Sequence, residues 1–413
     1  MNRHTLKSFL VLTLTIGLFA PTLAQRKNLI GDLLQKSPEL FRTVTSRPDL
    51  YDVQILYTQI DRDAQNRPLF RSYSYKLDKK RYFYPASTVK LPAVLLALEK
   101  LNELKINRNT PMLTDSAYAR QTRVRADATA ENGLPSVAHY AKKILLVSDN
   151  DAFNRLYEFV GQRDMNERLY RKGYRNLRIV HRLESPMNAD QNRHTNPVRF
   201  VQDGKVLYEQ PARVNTKPIR SDSIIRRGIG FMRNDSLIKE PFDFTRKNFF
   251  ALEDQQAMLK AVLFPEAVPA KNRFNLNAGD YGFLYQYLSQ LPRETTYPKY
   301  DSTFYDSYCK FLLTGDQKTS FPKSIRIFNK VGDAYGYLID NAYIVDFERG
   351  VEFMLSAVIS CNSDGIFNDD AYDYDKIGYP FLSNLGRVIF DYDAKRKRLW
   401  RPDVRKFQLK YDR

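Results

Sequence analysis

Strand-like sequence stands at both ends of this chain and helix-like sequence fills the middle, an arrangement that few folds accommodate. Tyr51 to Ile60 and Leu69 to Tyr84 are rich in β-branched and aromatic residues. So are Ser324 to Lys330, Tyr337 to Asp346 and Val351 to Ser360, the last two joined by the turn Glu348-Arg349-Gly350. Helical spacing marks Leu29 to Phe41, Ser87 to Leu104, Val137 to Val147, Ala152 to Val160, Phe249 to Leu263, Tyr281 to Leu291 and Tyr379 to Tyr392. A hairpin is expected over Val198 to Tyr208, around Asp203-Gly204. The implied fold is an α+β sandwich: one antiparallel sheet formed from both chain ends and flanked by helices, plus a mainly helical lobe. The expected boundaries are a sheet lobe over about 25–86 and 324–413 and a helical lobe over about 87–323. A cleft belongs where the two meet.

The first residues set an address. Arg3 and Lys7 precede the apolar run Phe9 to Phe19, and Pro21-Thr22-Leu23-Ala24 offers small residues before Gln25, the pattern of a cleaved secretory leader over 1–24. That run is too short to span a bilayer, and no later stretch is long enough, so an exported chain without a stable membrane anchor is expected, periplasmic or extracellular, acting as a monomer. The formal charge of +18 would suggest nucleic acid inside a cell. Export argues against that and leaves a basic, solvated surface with at most weak attraction to anionic cell-envelope polymers. Cys309 and Cys361 are compatible with one disulfide or with two buried thiols.

Chemistry is concentrated in four short motifs that follow in order: Ser87-Thr88-Val89-Lys90, Ser148-Asp149-Asn150, Glu184 through Asn188, and Lys330-Val331-Gly332. A serine and a lysine three apart prove little alone, since Ser236/Lys239, Ser307/Lys310 and Ser320/Lys323 repeat the spacing. Ser87 differs in its setting. The strand-like Arg81 to Tyr84 leads into Pro85-Ala86, and the apolar stretch Leu91 to Leu101 follows, so a buried helix should start near Ser87 with Lys90 on the same face. A serine hydroxyl needs a base to become a nucleophile, and a lysine amine serves only if burial or a positive neighbour lowers its pKa. Lys90 and Lys330 could be such neighbours for each other. A backbone N–H at the helix start, with a second from the strand edge after Lys330 where Gly332 leaves room, would hold an oxyanion.

This set resembles the penicillin-recognising serine hydrolases, and most closely the class A β-lactamases, whose motifs are S-x-x-K, S-D-N, E-x-x-x-N and K-T-G. The likeness runs from about Tyr51 to Tyr392. Arg182-Leu183-Glu184-Ser185-Pro186-Met187-Asn188 resembles the omega-loop of that family, and Thr195-Asn196-Pro197 its exit. The resemblance implies Ser87 as the acylated nucleophile, Lys90 as proton acceptor or relay, and Ser148 as the hydroxyl that protonates the leaving nitrogen. It implies further that Asn150 holds a substrate amide, that Lys330 sets the electrostatics, and that Glu184 with Asn188 activates the deacylating water. No cofactor or metal is required. The implied partner is a small molecule, a β-lactam or a D-alanyl peptide.

Two departures stand out. Val331 occupies the place of a hydroxyl residue that helps hold a substrate carboxylate, and Asp333 adds a negative charge beside it. The stretch from Pro197 to Lys330 is also longer than a compact family member needs, so an insertion, roughly 198–246, is expected to reshape or roof the cleft, with a second place for it near Pro292 to Ser320. A D-alanyl peptide carboxypeptidase or another esterase or amidase on the same fold therefore stays open, as does a penicillin-binding or scaffold protein without turnover. Singly, Ser87 and Ser148 could be helix caps, Glu184 and Asn188 solvated loop residues, and Lys330 an edge charge. His181, Asp190 and His194 lack metal-ligand spacing.

Overall fold

The computed structural model describes residues 28–318 and 320–412; the leader expected over 1–24 lies outside them. Five strands form one antiparallel sheet: β1 (Gln54–Arg62), β2 (Pro68–Tyr75), β3 (Ile325–Ala334), β4 (Tyr337–Asp346) and β5 (Val351–Ser360), in the order β3-β4-β5-β1-β2. The two ends of the chain thus meet where β1 pairs with β5, Tyr57 opposite Leu355. β4 and β5 are buried along their whole length apart from Ser360, because both faces of the sheet are covered.

Alternation along the strands sorts the side chains into two cores. Ile327, Val331, Leu338, Ala342, Ile344, Phe353 and Leu355 face one way, against α1 (Leu29–Lys36), α2 (Pro38–Thr45) and the C-terminal helix Tyr379–Ala394. Phe328, Ile339, Tyr343, Met354 and Val358 face the other way, into a larger core shared with the helical lobe. That lobe centres on α3 (Lys90–Leu104), flanked by α4 (Val137–Val147), α5 (Asn150–Val160) and α6 (Gln162–Arg171). α3 is apolar on nearly all sides and buried from Lys90 to Leu101, as a helix without an amphipathic stripe must be. The helices α7 (Leu252–Leu263) and α8 (Ala278–Ser289) close the lobe, and α9 is the C-terminal helix Tyr379–Ala394 named above. α7 lies directly on the sheet.

Several local details differ from the sequence reading. The first helix is two, broken at Ser37-Pro38, where proline starts the second as its first residue. The second strand ends at Tyr75, and Lys76, with a left-handed φ of 49°, turns the chain away. α6 carries no strong sequence signal because charged residues dominate it and of its apolar residues only Met165 and Leu169 are fully buried. Cys309 and Cys361 are both buried free thiols. The hairpin Val198–Gln202 with Lys205–Gln210 forms as expected, with Asp203 and Gly204 both at positive φ. Among the described residues no helix is long and apolar enough to cross a membrane.

Leu95 sits at the centre of α3 and is fully buried. Leu95→Ala should cost about 2–5 kcal/mol, the range for a cavity in a packed core. Urea unfolding of the variant and the parent measures it, and a loss under about 1 kcal/mol would mean that the helix is not the packed centre of the lobe.

Candidate active site

A cleft of about 530 Å³ lies between the sheet edge and the helical lobe, and Ser87, Asn150, Glu184, Asn188 and Asp333 all line it. Four chain segments converge there, and each turns into the cleft through a non-glycine residue at positive φ. These are Ala86 (45°) before Ser87, Ser148 (62°) at the corner between α4 and α5, Glu184 (44°) in the loop 181–196, and Tyr335 (53°) in the β3–β4 turn. Such conformations cost on the order of 1–3 kcal/mol each and cluster where geometry serves function.

Ser87 lies in the 3-10 turn Ala86–Val89 that leads into α3, so Lys90 begins the α-helix proper. Gly332 of β3 seats that turn. A Cβ at Gly332 would lie 2.7 Å from the Pro85 carbonyl oxygen and 3.1 Å from the Ser87 nitrogen, so only glycine lets the strand approach. The glycine therefore lets the strand close on the backbone of the Ser87 turn, a use that its place after Lys330 in the sequence does not reveal. β3 is the edge of the sheet, and its unpaired side faces this turn.

Beneath Ser87, two buried lysines meet on one serine. Lys90 Nζ donates to the Ser148 carbonyl oxygen and lies 3.2 Å from Ser148 Oγ, while Lys330 Nζ donates to the same Oγ at 2.8 Å and to the Val331 carbonyl at 3.0 Å. The sequence suggests the Lys90 amine against the Ser87 hydroxyl. Instead the amine is anchored on Ser148, because the left-handed corner turns that carbonyl toward it. Among the described residues nothing hydrogen-bonds Ser87 Oγ. Neither serine's side chain caps a helix start: Ser148 ends α4 through its backbone, and the N-cap of α5 is Asp149, whose Oδ1 accepts from Ala152 N.

Burial lowers the pKa of Lys90 well below the usual lysine range, and the Lys330 ammonium lowers it further; burial also lowers Lys330. Sharing one hydroxyl places the two nitrogens no more than about 6 Å apart. Two positive charges at that distance repel by on the order of 3 kcal/mol at an effective dielectric of about 20. The arrangement favours one neutral amine, and Lys90 is the one on which burial and a positive neighbour both act. Cys309, buried nearby, has its thiol pushed up to about 11 by burial, so it is no competing nucleophile.

The loop 181–196 is pinned by one face of α5. Asn154 exchanges two hydrogen bonds with the backbone of Leu183, Tyr157 donates to the Asn192 carbonyl, and the Glu158 carboxylate receives Arg182 Nε at 2.9 Å with both side chains buried. These residues recur at i, i+3 and i+4, the spacing of one helix face. Their polar character inside a buried helix is the sequence signal for this anchoring, and it lies outside the four motifs. The pinning presents Glu184 to the cleft. Asn188 is engaged within its own loop, where its Oδ1 accepts the N–H groups of Asp190 and Gln191 and caps the next turn.

Val331 is 1% exposed in the core behind the sheet, since alternation sends it opposite to Lys330. Besides Ser87, the hydroxyl side chains that line the cleft among the described residues are those of Ser185, Tyr84 and Tyr335. The long middle segment supplies other groups: Asp243, Arg246 and Lys247 line the cleft with Ser87 and Glu184. Arg246 pairs with Asp190 of the loop at 3.1 Å, and Lys247 Nζ donates to Tyr335 OH at 3.2 Å. Neither cation stands out in the sequence, because lysine and arginine in a polar loop carry no periodic mark. The other serine-lysine pairs lie elsewhere; Lys310, for instance, is buried on the Leu288 carbonyl and Asn329.

His181 stacks on Tyr84 at the cleft wall, its Nδ1 on the Arg182 carbonyl and its Nε2 accepting from Asn248 N. Burial, with the Lys247 charge adding to it, lowers its pKa to about 4. His194 stacks on Tyr118 instead, so the two rings do not converge.

Residues 52–216 match the model of the beta-lactamase enzyme family, a span that includes Ser87, Lys90, Ser148, Asn150, Glu184 and Asn188 but not Lys330. No curated protein sequence matches the chain. Among solved structures, a β-lactamase from Sphaerobacter thermophilus aligns at 12% identity over 89% of this chain and 98% of its own, with a TM-score of 0.48. A β-lactamase from Chitinophaga pinensis aligns at 11% identity, over 87% and 99%, with a TM-score of 0.49. The protein PBP-A aligns at 14% identity, over 90% and 97%, with a TM-score of 0.49.

Two measurements probe this geometry. Gly332→Ala should leave a folded chain whose Ser87 turn is displaced, with reaction at Ser87 slowed about 10²-fold or more; an unchanged rate would remove the strand from the site. His181 is neutral when folded and titrates near 6.5 when unfolded, so its contribution to stability is complete above about pH 6.5 and is lost as pH falls through about 4. The urea midpoint of the parent should fall over that window, and His181→Leu should flatten part of the slope. An identical slope in both proteins would contradict the neutral, bonded ring.

Proposed function

From the match of residues 52–216 to the beta-lactamase enzyme family, we propose that the chain is an exported serine hydrolase that opens a β-lactam ring through an ester on Ser87. The observation that carries this reading is an uncommitted Ser87 hydroxyl opening on the same cleft as Glu184, above a serine held by two buried lysines. Ser87 Oγ attacks the lactam carbonyl, and its proton passes to the neutral amine of Lys90. The Ser87 N–H and an N–H on the free edge of β3 hold the oxyanion, each such donor being worth about 10²- to 10³-fold in rate. The C–N bond then breaks, and Ser148, polarised by Lys330, delivers its proton to the ring nitrogen and is reprotonated by the Lys90 ammonium, which thereby returns to the amine. Asn150 receives the side-chain amide of the substrate. Glu184 takes a proton from water, which attacks the ester, and that proton passes to the departing Ser87 Oγ, so both groups are restored.

Because Asn188 is occupied with its own turn, Glu184 orients this water with less help, and deacylation is the slower half of the cycle. Ser87→Ala should abolish nitrocefin hydrolysis by about 10³-fold or more. The parent should show a stoichiometric burst before a slower steady rate, and Glu184→Gln should accumulate an acyl adduct visible by intact mass. No turnover and no adduct in any of the three would overturn the reading.

A second reading, an esterase or D-alanyl peptide carboxypeptidase using the same Ser87, is favoured by the burial of Val331, which takes out of the cleft the position from which a hydroxyl would grip a β-lactam carboxylate. Faster turnover of D-Ala-D-Ala peptides or simple esters than of nitrocefin would select it.

A further inference from the structure

A second concavity, about 670 Å³, lies on the far side of the segment that walls the catalytic cleft. Five cations line it, Lys79, Lys80, Arg175, Arg178 and Arg220, against one carboxylate, Asp222. Among the described residues none of the five is in a salt bridge, in a molecule that pairs most of its buried carboxylates. The Lys79 charge also acts on Glu253 and Asp254, neither of which lines the groove, and Asp254 is engaged with the backbone and amide of Asn176.

Arg178 is the central member. It is 7% exposed, and the short strand Leu177–Arg178 that carries it pairs with Phe249–Phe250. Its Nε donates to the Lys247 carbonyl at 3.0 Å and its Nη2 to the Thr245 carbonyl at 3.3 Å, while Nη1 has no partner among the described residues. The guanidinium also lies over the Phe249 ring at 5.9 Å. The guanidinium keeps its charge, two of its three nitrogens are fixed on carbonyls, and the remaining Nη1 is left for an anion among the surrounding like charges.

We propose that this groove binds a multivalent anion of phosphate chemistry. One carboxylate would satisfy one guanidinium and leave the other cations unmatched, whereas linked phosphoryl groups present several oxygens to the guanidinium groups of Arg175 and Arg220, to Nη1 of Arg178 and to the two lysine ammonium groups. Asn176, Ser221 and Ser223 add neutral hydrogen-bonding groups to the lining. The site is separate from Ser87 but shares a wall with its cleft, since the carbonyls that Arg178 holds belong to Thr245 and to Lys247 itself. Two sources carry this chemistry, a soluble phosphate compound and a lipid headgroup.

The test is calorimetric titration of the parent with sodium tripolyphosphate at low ionic strength, beside vesicle sedimentation with phosphatidylglycerol in phosphatidylcholine and with phosphatidylcholine alone. The double variant Lys80→Gln/Arg220→Gln changes only exposed groove cations, and Lys205→Gln/Lys239→Gln removes the same charge elsewhere. Saturable tripolyphosphate binding that weakens about tenfold or more in the groove variant and less than about twofold in the control is expected. Retention on the anionic vesicles that tripolyphosphate competes away would identify the headgroup as the source; tripolyphosphate binding without retention would identify a soluble compound. No saturable binding, or equal weakening in both variants, would reduce the groove to diffuse surface charge and overturn the proposal.

Discussion

Ser148 is the point on which this structure turns. Its carbonyl and hydroxyl receive Lys90 from the first turn of the central helix, and its hydroxyl receives Lys330 from the edge strand, so one residue joins helical lobe, sheet and corner. Two lysine side chains are buried to make that junction, one fully and one to 3% exposure. Burying two ammonium groups without a carboxylate in contact is costly, and repulsion makes it costlier. A neutral amine on Lys90 relieves both penalties at once, and a neutral amine is also what a hydroxyl nucleophile requires. In the proposed reaction, the requirement of stability and the requirement of catalysis are met by the same deprotonation.

The rest of the cleft is arranged around that junction by strained corners and firm anchors. Ala86, Ser148, Glu184 and Tyr335 each hold a backbone conformation that a side chain disfavours, and none could persist without support. Support comes from Gly332 beneath the Ser87 turn, from the buried Arg182–Glu158 pair and Asn154 under the loop 181–196, and from a ring cluster of Tyr84, Phe242, Phe244 and Phe367 around Tyr335. The long middle segment contributes to the same wall, because Phe242 and Phe244 belong to that cluster while Lys247 looks into the cleft and Arg178 grips it from behind.

Much of this was legible in the sequence, for reasons that also explain what was not. The sheet strands were readable because alternation and β-branched residues are dense in them, and α3 because nothing polar interrupts Leu91 to Leu98. The candidate residues Ser87, Asn150, Glu184, Asn188 and Asp333 were legible as one cleft, since order and spacing constrain them jointly. Direction was harder. Whether Val331 faces substrate or core depends on the phase of β3 against the sheet, and whether Gly332 makes room for a ligand or for Pro85 depends on how close the 3-10 turn comes. Asn188 looked free because an Asx-type cap inside a loop leaves no periodic trace. α6 was invisible for want of an apolar stripe, and the cleft-facing Arg246 and Lys247 because a loop cation says nothing of where it points.

The proton path from Ser87 depends on Lys90 being a neutral amine at neutral pH while Lys330 carries the charge. Selective nitrogen-15 labelling of lysine, with the two resonances assigned through Lys90→Arg and Lys330→Arg, reads each Nζ directly as pH is varied. An amine-like Lys90 signal is expected near pH 7, with a titration that moves upward when Lys330→Met removes the neighbouring charge. A Lys90 signal that stays ammonium-like up to the ordinary lysine range of about 10.4 would contradict the neutral amine, and with it the proton path.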